Sequence, residues 1–169
     1  TPQEVFTADM VLLATGLRAN TDILNTKQEH WCGSSGFKVD RWARLHADPH
    51  LFAVGDCAQI NATHFTYVAP IKHQVAALAQ TLCGQETPIT YPPMPVGLKT
   101  PTYPCVILPV RQRVEGKWLQ KTDESSGYSA VFQSNDGQIL GVVLLGTAAQ
   151  QKETWLEQMP RYLQGFEPA

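Results

Sequence analysis

The sequence predicts an α/β arrangement in its first part and an α+β arrangement in its second part. Two observations lead to this prediction. A short apolar run at residues 51–54 ends at a Gly-Asp pair, and a segment with the periodicity of an amphipathic helix follows it. A proline-rich stretch at residues 86–104 then precedes a region with the turn signals of antiparallel strands. The 169 residues are enough for one domain or two small ones with a real core.

The Gly-Asp pair after the apolar run predicts a ligand site. Ligands of open α/β sheets bind in the crevice outside the carboxyl ends of the strands, which is where Gly55 and Asp56 are expected. Glycine lets backbone or ligand approach closely, and an ionised Asp accepts hydrogen bonds from two hydroxyls of a sugar. The alternative is an ordinary end of a buried strand.

The segment after this pair predicts an amphipathic helix. Apolar side chains recur at intervals of three and four, at Ile71, Val75, Leu78, Ala79 and Leu82. Pro70 suits the first helical position, and Gly84 suits the position just past the end. A helix start carries unpaired N–H groups and about half a positive charge, so it favours a negatively charged group nearby.

Apolar runs and turn signals predict the other elements. Strands are expected at residues 10–14, 37–39, 96–98 and 106–108, the last two at sheet edges because prolines flank them. One hairpin is expected at residues 111–119, with its turn at Glu115-Gly116. A second joins residues 128–132 to 139–145 through Asn135-Asp-Gly137. A closing helix at about residues 148–163 is expected to carry Trp155, Met159 and Leu163 on one face and to be interrupted late by Pro160.

Composition excludes several classes of function. Lys+Arg 13 against Asp+Glu 15 gives a net charge of -2, which does not suggest nucleic acid or an anionic membrane as a partner. The four cysteines form no Cys-x-x-Cys pair, so we expect reduced thiols and a cytoplasmic location. His46, Asp48 and His50 are near one another, but Pro49 interrupts them and no helix face unites them, so no metal site is expected.

Three motifs, in order, carry a resemblance to a known family. Leu51-Phe-Ala-Val-Gly-Asp-Cys resembles the second flavin-binding motif of two-dinucleotide-fold FAD/NAD(P)H reductases, although His46 stands where the motif usually opens with Thr. Leu13-Ala-Thr-Gly-Leu-Arg-Ala-Asn20 resembles the turn where the family's chain returns to the FAD domain. Ala77-Leu-Ala-Gln-Thr-Leu82 and Pro93-Met-Pro-Val-Gly-Leu-Lys-Thr-Pro101 narrow the resemblance to bacterial rubredoxin reductases.

The resemblance implies a partial FAD/NAD(P)-binding two-dinucleotide fold plus a small antiparallel-sheet C-terminal cap domain. Residues 1–20 would end the NAD-binding domain, residues 21–92 would form the second half of the FAD-binding domain, and residues 93–169 would form the cap. The cofactor would be FAD and the substrate NAD(P)H. Cofactor-binding positions are implied at Gly16, Gly55, Asp56, Tyr67, Val68, Ala69, Pro70 and Lys99. Among these, Asp56 would hold the ribityl chain, and no residue is implied as a general acid, base or nucleophile.

The resemblance also implies a function and a partner. The parent protein would pass electrons from NAD(P)H through FAD to rubredoxin, a small acidic iron protein. Basic residues that would attract such a partner lie at Arg111, Arg113, Lys117 and Lys121. A ferredoxin-type reductase, an oxidase or a nitrite-linked subunit stays open, and so does a non-catalytic module that dimerises or binds a partner.

One feature of the family is missing from the sequence. No Gly-x-Gly-x-x-Gly occurs, whereas the family needs one for each of its two pyrophosphates. We therefore expect a C-terminal portion of a reductase that is inactive alone and binds FAD weakly or not at all. Strands without neighbours would favour a homodimer.

Overall fold

The structure is a computed structural model that describes residues 5–24, 31–33, 35–61, 63–100, 102–110, 114–123 and 127–163. Its described part contains a four-stranded sheet and a five-stranded sheet. The first sheet is mixed and accompanies a long helix, and the second is antiparallel and followed by short helical turns. The predicted fold class is confirmed.

The first sheet runs in sequence order. Its strands are β1 Cys32–Gly33, β2 Gly36–Val39, β3 Ala58–Ile60 and β4 Thr63–His64. Strands β2 and β3 are parallel, with Phe37 opposite Ala58, and the outer pairs are antiparallel. The predicted strand at residues 37–39 is therefore confirmed. Helix α1, Val68–Leu82, follows β4.

The first core cluster forms around this sheet and α1. Its buried members are Phe37, Val39, Ala43, Leu45, Ala53, Ala58, Ile60, Phe65, Ala77, Ile89, Tyr91, Met94 and Leu163. They come from segments far apart in sequence, so this cluster ties the Gly55-Asp56 region to the end of the described chain.

The second sheet has the order β5-β6-β9-β8-β7. Its strands are β5 Val96–Leu98, β6 Cys105–Leu108, β7 Gly116–Asp123, β8 Gly127–Ser134 and β9 Ile139–Leu145. A 3-10 helix, Gly146–Gln151, and helix α2, Lys152–Leu156, come next. The second core cluster consists of Leu108, Val131, Val142, Leu144, Ala148 and Met159.

The expected strand at residues 10–14 is wrong. These residues have no regular secondary structure, and Met10 and Leu12 are 86% and 87% exposed. A strand is held by pairing with a neighbour, and no described residue pairs with this run. The strand expected at residues 51–54 is reduced to a bridge between Phe52 and Arg44, although Ala53 is buried.

The expected helix is confirmed, but its details differ. It begins at Val68, so Pro70 lies in the first turn, where its missing N–H costs no hydrogen bond. Gly84 follows the end with φ +90°, as expected. The buried face carries Pro70, Gln74, Ala77 and Thr81. Val75 and Leu82, which were expected on the buried face, are 49% and 63% exposed.

The second sheet confirms one hairpin and contradicts the other. The turn at Asn135-Asp-Gly137 joins β8 to β9, as predicted. Gly116 does not turn a hairpin, because it begins β7, which pairs along its length with β8. Of the two expected edge strands, β5 lies at an edge and β6 lies inside the sheet. Prolines 104 and 109 flank β6 without entering it, so no hydrogen bond of the ladder is lost.

The closing helix is much shorter than expected. Helix α2 ends at Leu156, and Leu163 lies apart from Trp155 and Met159, packed in the first core cluster. Pro160 cannot continue a helix, and Leu163 has φ +65°, which is not a right-handed helical conformation. In the described part of the chain, no helix has the length and apolar character to span a membrane.

Candidate functional site

The Gly55-Asp56 pair forms a tight turn at the surface of the first sheet. Residues Gly55–Cys57 make one turn of 3-10 helix after the extended Val54. Gly55 is buried and has φ +79°, a conformation that favours glycine. Asp56 is exposed, and no hydrogen bond or ion pair joins its carboxylate to any residue that the structure describes. The carboxylate is therefore available to a ligand.

Hydrogen bonds hold the backbone of this turn on both sides of Asp56. The Gly55 N–H donates to Oε1 of Gln74 at 2.6 Å. The Asp56 carbonyl oxygen lies 2.6 Å from Nε2 of His64, and since a carbonyl only accepts, this nitrogen carries the proton. The Cys57 thiol donates to the Val54 carbonyl at 3.3 Å, and its burial raises the pKa of that thiol. The turn is thus fixed while the Asp56 side chain stays free.

A close approach between β2 and the turn depends on Gly36. This residue has φ +124°, and a side chain there would run into the backbone carbonyl of Cys57. Glycine at this position therefore lets β2 pass directly beside the turn.

The start of α1 lies against the same turn. A Cβ on Gly55 would be 3.8 Å from Cδ1 of Ile71, in the first turn of the helix. Tyr67 precedes the helix with extended backbone, and its side chain makes no capping hydrogen bond to the N–H groups. Val68 and Ala69 are exposed, so these positions can present their unpaired N–H groups to an anionic or polar ligand.

The structure unites most of the predicted site residues. Gly55 and Asp56 lie in the turn, and Tyr67, Val68, Ala69 and Pro70 form the helix start beside it. Gly16 has φ +130°, and a Cβ placed on it would have no described atom within 4 Å, so this position makes no contact with the turn. Lys99 is exposed just after β5, in the second sheet.

Three residues that support this site were not predicted from the sequence. Gln74 and His64 hold the turn by hydrogen bonds, and Gly36 makes room for it. Hydrophobic periodicity gave no signal for Gln74, because the face that it predicted carries Ile71, Val75 and Leu78, whereas the face that α1 buries carries Gln74. No pattern in the sequence pointed to His64, because its bond to Asp56 depends on the pairing of β3 with β4.

A cleft of about 50 Å³ lies between the two core clusters. Its walls include Phe65, Met94, Leu108, Met159 and Tyr162, with prolines and leucine or isoleucine side chains making up the rest. The lining is apolar apart from the Tyr162 hydroxyl, so it lacks the charged groups that recognise a dinucleotide. The Gly55-Asp56 turn is therefore the stronger candidate.

Comparison with known families and proteins agrees with this geometry. Residues 1–81 match the family model described as pyridine nucleotide-disulphide oxidoreductase, and residues 88–159 match that of the rubredoxin binding C-terminal domain. The chain is 38% identical over 159 residues to a rubredoxin-NAD(+) reductase of Acinetobacter baylyi, covering 93% of this chain and 39% of that relative. It is 35% identical over 153 residues to the enzyme of that name from Alcanivorax borkumensis, covering 90% and 39%.

Solved structures show the same fold at lower identity. The chain is similar to Fdr9, with a TM-score of 0.70 at 16% identity over 90% of this chain and 40% of that one. It is also similar to NADH:rubredoxin oxidoreductase from Clostridium acetobutylicum, with a TM-score of 0.60 at 16% identity and the same coverage. The chain spans about two fifths of the length of the curated relatives, 39% of each. Two consecutive parts of the chain thus match the pyridine nucleotide-disulphide oxidoreductase family and the rubredoxin binding C-terminal domain, in that order.

Proposed function

We propose that this chain forms the C-terminal part of a flavoprotein that passes electrons from NAD(P)H through FAD to rubredoxin. The observation that carries the proposal is the exposed Asp56 carboxylate, free of described partners in a turn packed against the start of α1. The relatives named rubredoxin-NAD(+) reductase support rubredoxin as the acceptor. These names favour it over the ferredoxin-type, oxidase and nitrite-linked alternatives and over a non-catalytic module.

The residues present fit one part of FAD. The Asp56 carboxylate would accept hydrogen bonds from the hydroxyls of the ribityl chain. The N–H groups of Val68 and Ala69 would face the pyrimidine side of the flavin, where the partial positive charge of the helix start stabilises negative charge. Tyr67 and Pro70 would flank this position. When bound, FAD supplies the redox chemistry, because it accepts a hydride and releases single electrons.

The other predicted positions complete the proposal. Gly16 would line the nucleotide side of the site, and Lys99 would point toward the flavin or the electron acceptor. The chain contains no Gly-x-Gly-x-x-Gly, so it offers no cradle of that type for a pyrophosphate. We therefore expect the chain by itself to bind FAD weakly or not at all and not to oxidise NADH.

The organisation of the chain is part of the same proposal. We place domain boundaries near residues 20 and 93, and the meeting of the two family matches between residues 81 and 88 supports the second of these. No described strand pairs with the outer edge of β7, which supports a homodimer, since an unpaired edge offers backbone groups to a second chain. The four free thiols support a cytoplasmic location.

A chimera tests the flavin site. This chain would replace the matching 39% of the Acinetobacter baylyi relative, so that the relative's amino-terminal part completes the protein. We expect the chimera to purify with the flavin absorption band. Since charge-assisted hydrogen bonds contribute about 1.5–3 kcal/mol each, Asp56→Ala should weaken FAD binding by at least about tenfold.

Glu157→Ala is the matched control, because Glu157 is an exposed carboxylate near the end of α2. It should leave FAD affinity unchanged. A folded chimera without flavin, or an Asp56→Ala chimera that holds FAD as tightly as its parent, would overturn the proposal.

We also propose that rubredoxin docks on the basic residues Arg111, Arg113, Lys117 and Lys121. Arg111 and Arg113 lie outside the described residues, Lys117 is exposed in the edge strand β7, and Lys121 follows in that strand. Attraction to an acidic partner raises the rate of encounter and weakens as salt screens it.

Electron transfer to rubredoxin tests this docking surface in the chimera. We expect the rate to fall with ionic strength, and Arg111→Glu with Arg113→Glu to remove most of that dependence. Lys152→Glu, on α2, is the control and should keep it. An unchanged salt dependence in the double variant would exclude this surface.

A further inference from the structure

Gln74 is a buried polar residue in the middle of α1. It is 2% exposed, and its neighbours on the buried face include Pro70 and Ala77. Burying an amide side chain is costly unless its donor and acceptor groups are both satisfied. The donor and the acceptor of Gln74 both make hydrogen bonds, each with a residue outside α1.

The acceptor side of Gln74 satisfies the backbone of the candidate site. Its Oε1 receives the Gly55 N–H at 2.6 Å, at the start of the 3-10 turn. The first N–H groups of a helical turn have no partner within the turn, and Gly55 is buried away from water. Gln74 therefore supplies a bond that the turn itself does not provide.

The donor side of Gln74 leads to the end of the described chain. Its Nε2 donates to the Tyr91 hydroxyl at 3.0 Å. The backbone of Tyr91 exchanges two hydrogen bonds with that of Tyr162, at 3.1 and 2.8 Å. One side chain thus connects the Gly55-Asp56 turn, α1 and the segment that follows α2.

We propose that Gln74 is a positioning residue that sets the Gly55-Asp56 turn against the start of α1. Holding Gly55 fixes the backbone from which the neighbouring Asp56 carboxylate projects. It also fixes the distance from that carboxylate to the exposed N–H groups of Val68 and Ala69. The identification of the ligand as FAD rests on the proposed function. The positioning of the turn by Gln74 does not depend on it.

The first measurement is amide hydrogen exchange at Gly55 in the chain labelled with 15N-glycine. In Gln74→Met, which keeps the length of the side chain and removes both polar groups, local opening should speed exchange at Gly55 by at least about tenfold. Thr81→Val is the matched control. Thr81 lies on the same buried face and bonds to the backbone of Thr87, so its loss destabilises α1 without touching the turn.

Two milder variants separate positioning from general damage. Gln74→Glu keeps an oxygen that accepts the Gly55 N–H, so it should restore slow exchange at Gly55. Tyr91→Phe removes the partner of Nε2 and leaves the bond to Gly55. Gly55 should therefore exchange faster than in the parent and more slowly than in Gln74→Met.

The second measurement is FAD affinity in the chimera. Gln74→Met should weaken binding by about tenfold or more, Gln74→Glu should recover most of it, and Thr81→Val should have no effect. If the parent chimera binds no FAD, the proposed function fails and the exchange data still decide the role of Gln74. The exchange rate of Gly55 is compared in each variant with the rate set by global unfolding of that variant. If this ratio is the same in Gln74→Met and Thr81→Val, the inference is overturned.

Discussion

Tyr91 illustrates how one buried side chain carries both polar and apolar contacts. Its ring packs on Phe65 with centroids 4.8 Å apart and stacks with Tyr162 at 6.2 Å. Burial raises the pKa of the Tyr91 phenol to about 12, and the hydrogen bond from Gln74 opposes part of that rise. The hydroxyl therefore stays protonated in the folded chain well above the pH at which an exposed tyrosine ionises.

This raised pKa predicts a loss of stability at high pH. In the unfolded chain Tyr91 ionises near its ordinary pKa of 10.0, whereas in the folded chain it keeps its proton to about 12. Between these values the unfolded state binds fewer protons, so the free energy of unfolding falls as pH rises, by up to about 1.4 kcal/mol per unit. Below the lower value Tyr91 contributes no pH dependence.

Urea unfolding of the chain and of Tyr91→Phe measures this contribution. The variant should be less stable at neutral pH, because it loses the bond from Gln74 and leaves Nε2 without its acceptor. Its deficit should shrink by about 2 kcal/mol between pH 9 and pH 12, since Phe has no proton to lose. A deficit that stays constant over that range would contradict the raised pKa.

At the scale of elements, local signals predicted what local chemistry determines. The turn between β8 and β9 was predicted from Asn135-Asp-Gly137, and Gly137 there has φ +89°. Gly116 carries a similar signal, but eight pairs of residues join β7 to β8 and override it. The strand expected at residues 10–14 did not form, because a strand needs a neighbouring strand to pair with. The apolar residues of this run do not indicate whether such a neighbour is present.

The candidate site likewise has features that the sequence predicted and features that only the folded chain revealed. Gly55, Asp56 and the helix after them were predicted from the order of apolar run, glycine, acid and periodic segment. The rotation of α1 was not, because Gln74 and Thr81 are buried through hydrogen bonds that hydrophobic periodicity does not register. Partners across the fold, such as His64 for Asp56, required the folded chain.

At the scale of the whole molecule, the last described residues join the two sheets. Tyr162 pairs with Tyr91 beside the first sheet, and Leu163 is buried in the first core cluster, although both follow the second sheet in sequence. Met159, a few residues earlier, packs in the second core cluster. The chain between Met159 and Leu163 therefore crosses from one core to the other, and unfolding of one should disturb the other.

Leu163→Ala tests this coupling. Removing a buried Leu side chain costs about 2–5 kcal/mol, and here the loss falls in the first core cluster while the residue belongs to the segment after α2. Methyl signals of Ile60 and Leu144 report the first and second clusters during urea unfolding. We expect both signals to shift to lower urea together, because residues 159–163 hold the two cores in one cooperative unit.

Leu156→Ala, at the edge of the second core cluster, should also shift both, by a smaller amount because Leu156 is only partly buried. If Leu163→Ala shifts the Ile60 signal and leaves the Leu144 signal in place, the two sheets unfold independently. Residues 159–163 would then connect the two cores without coupling their unfolding.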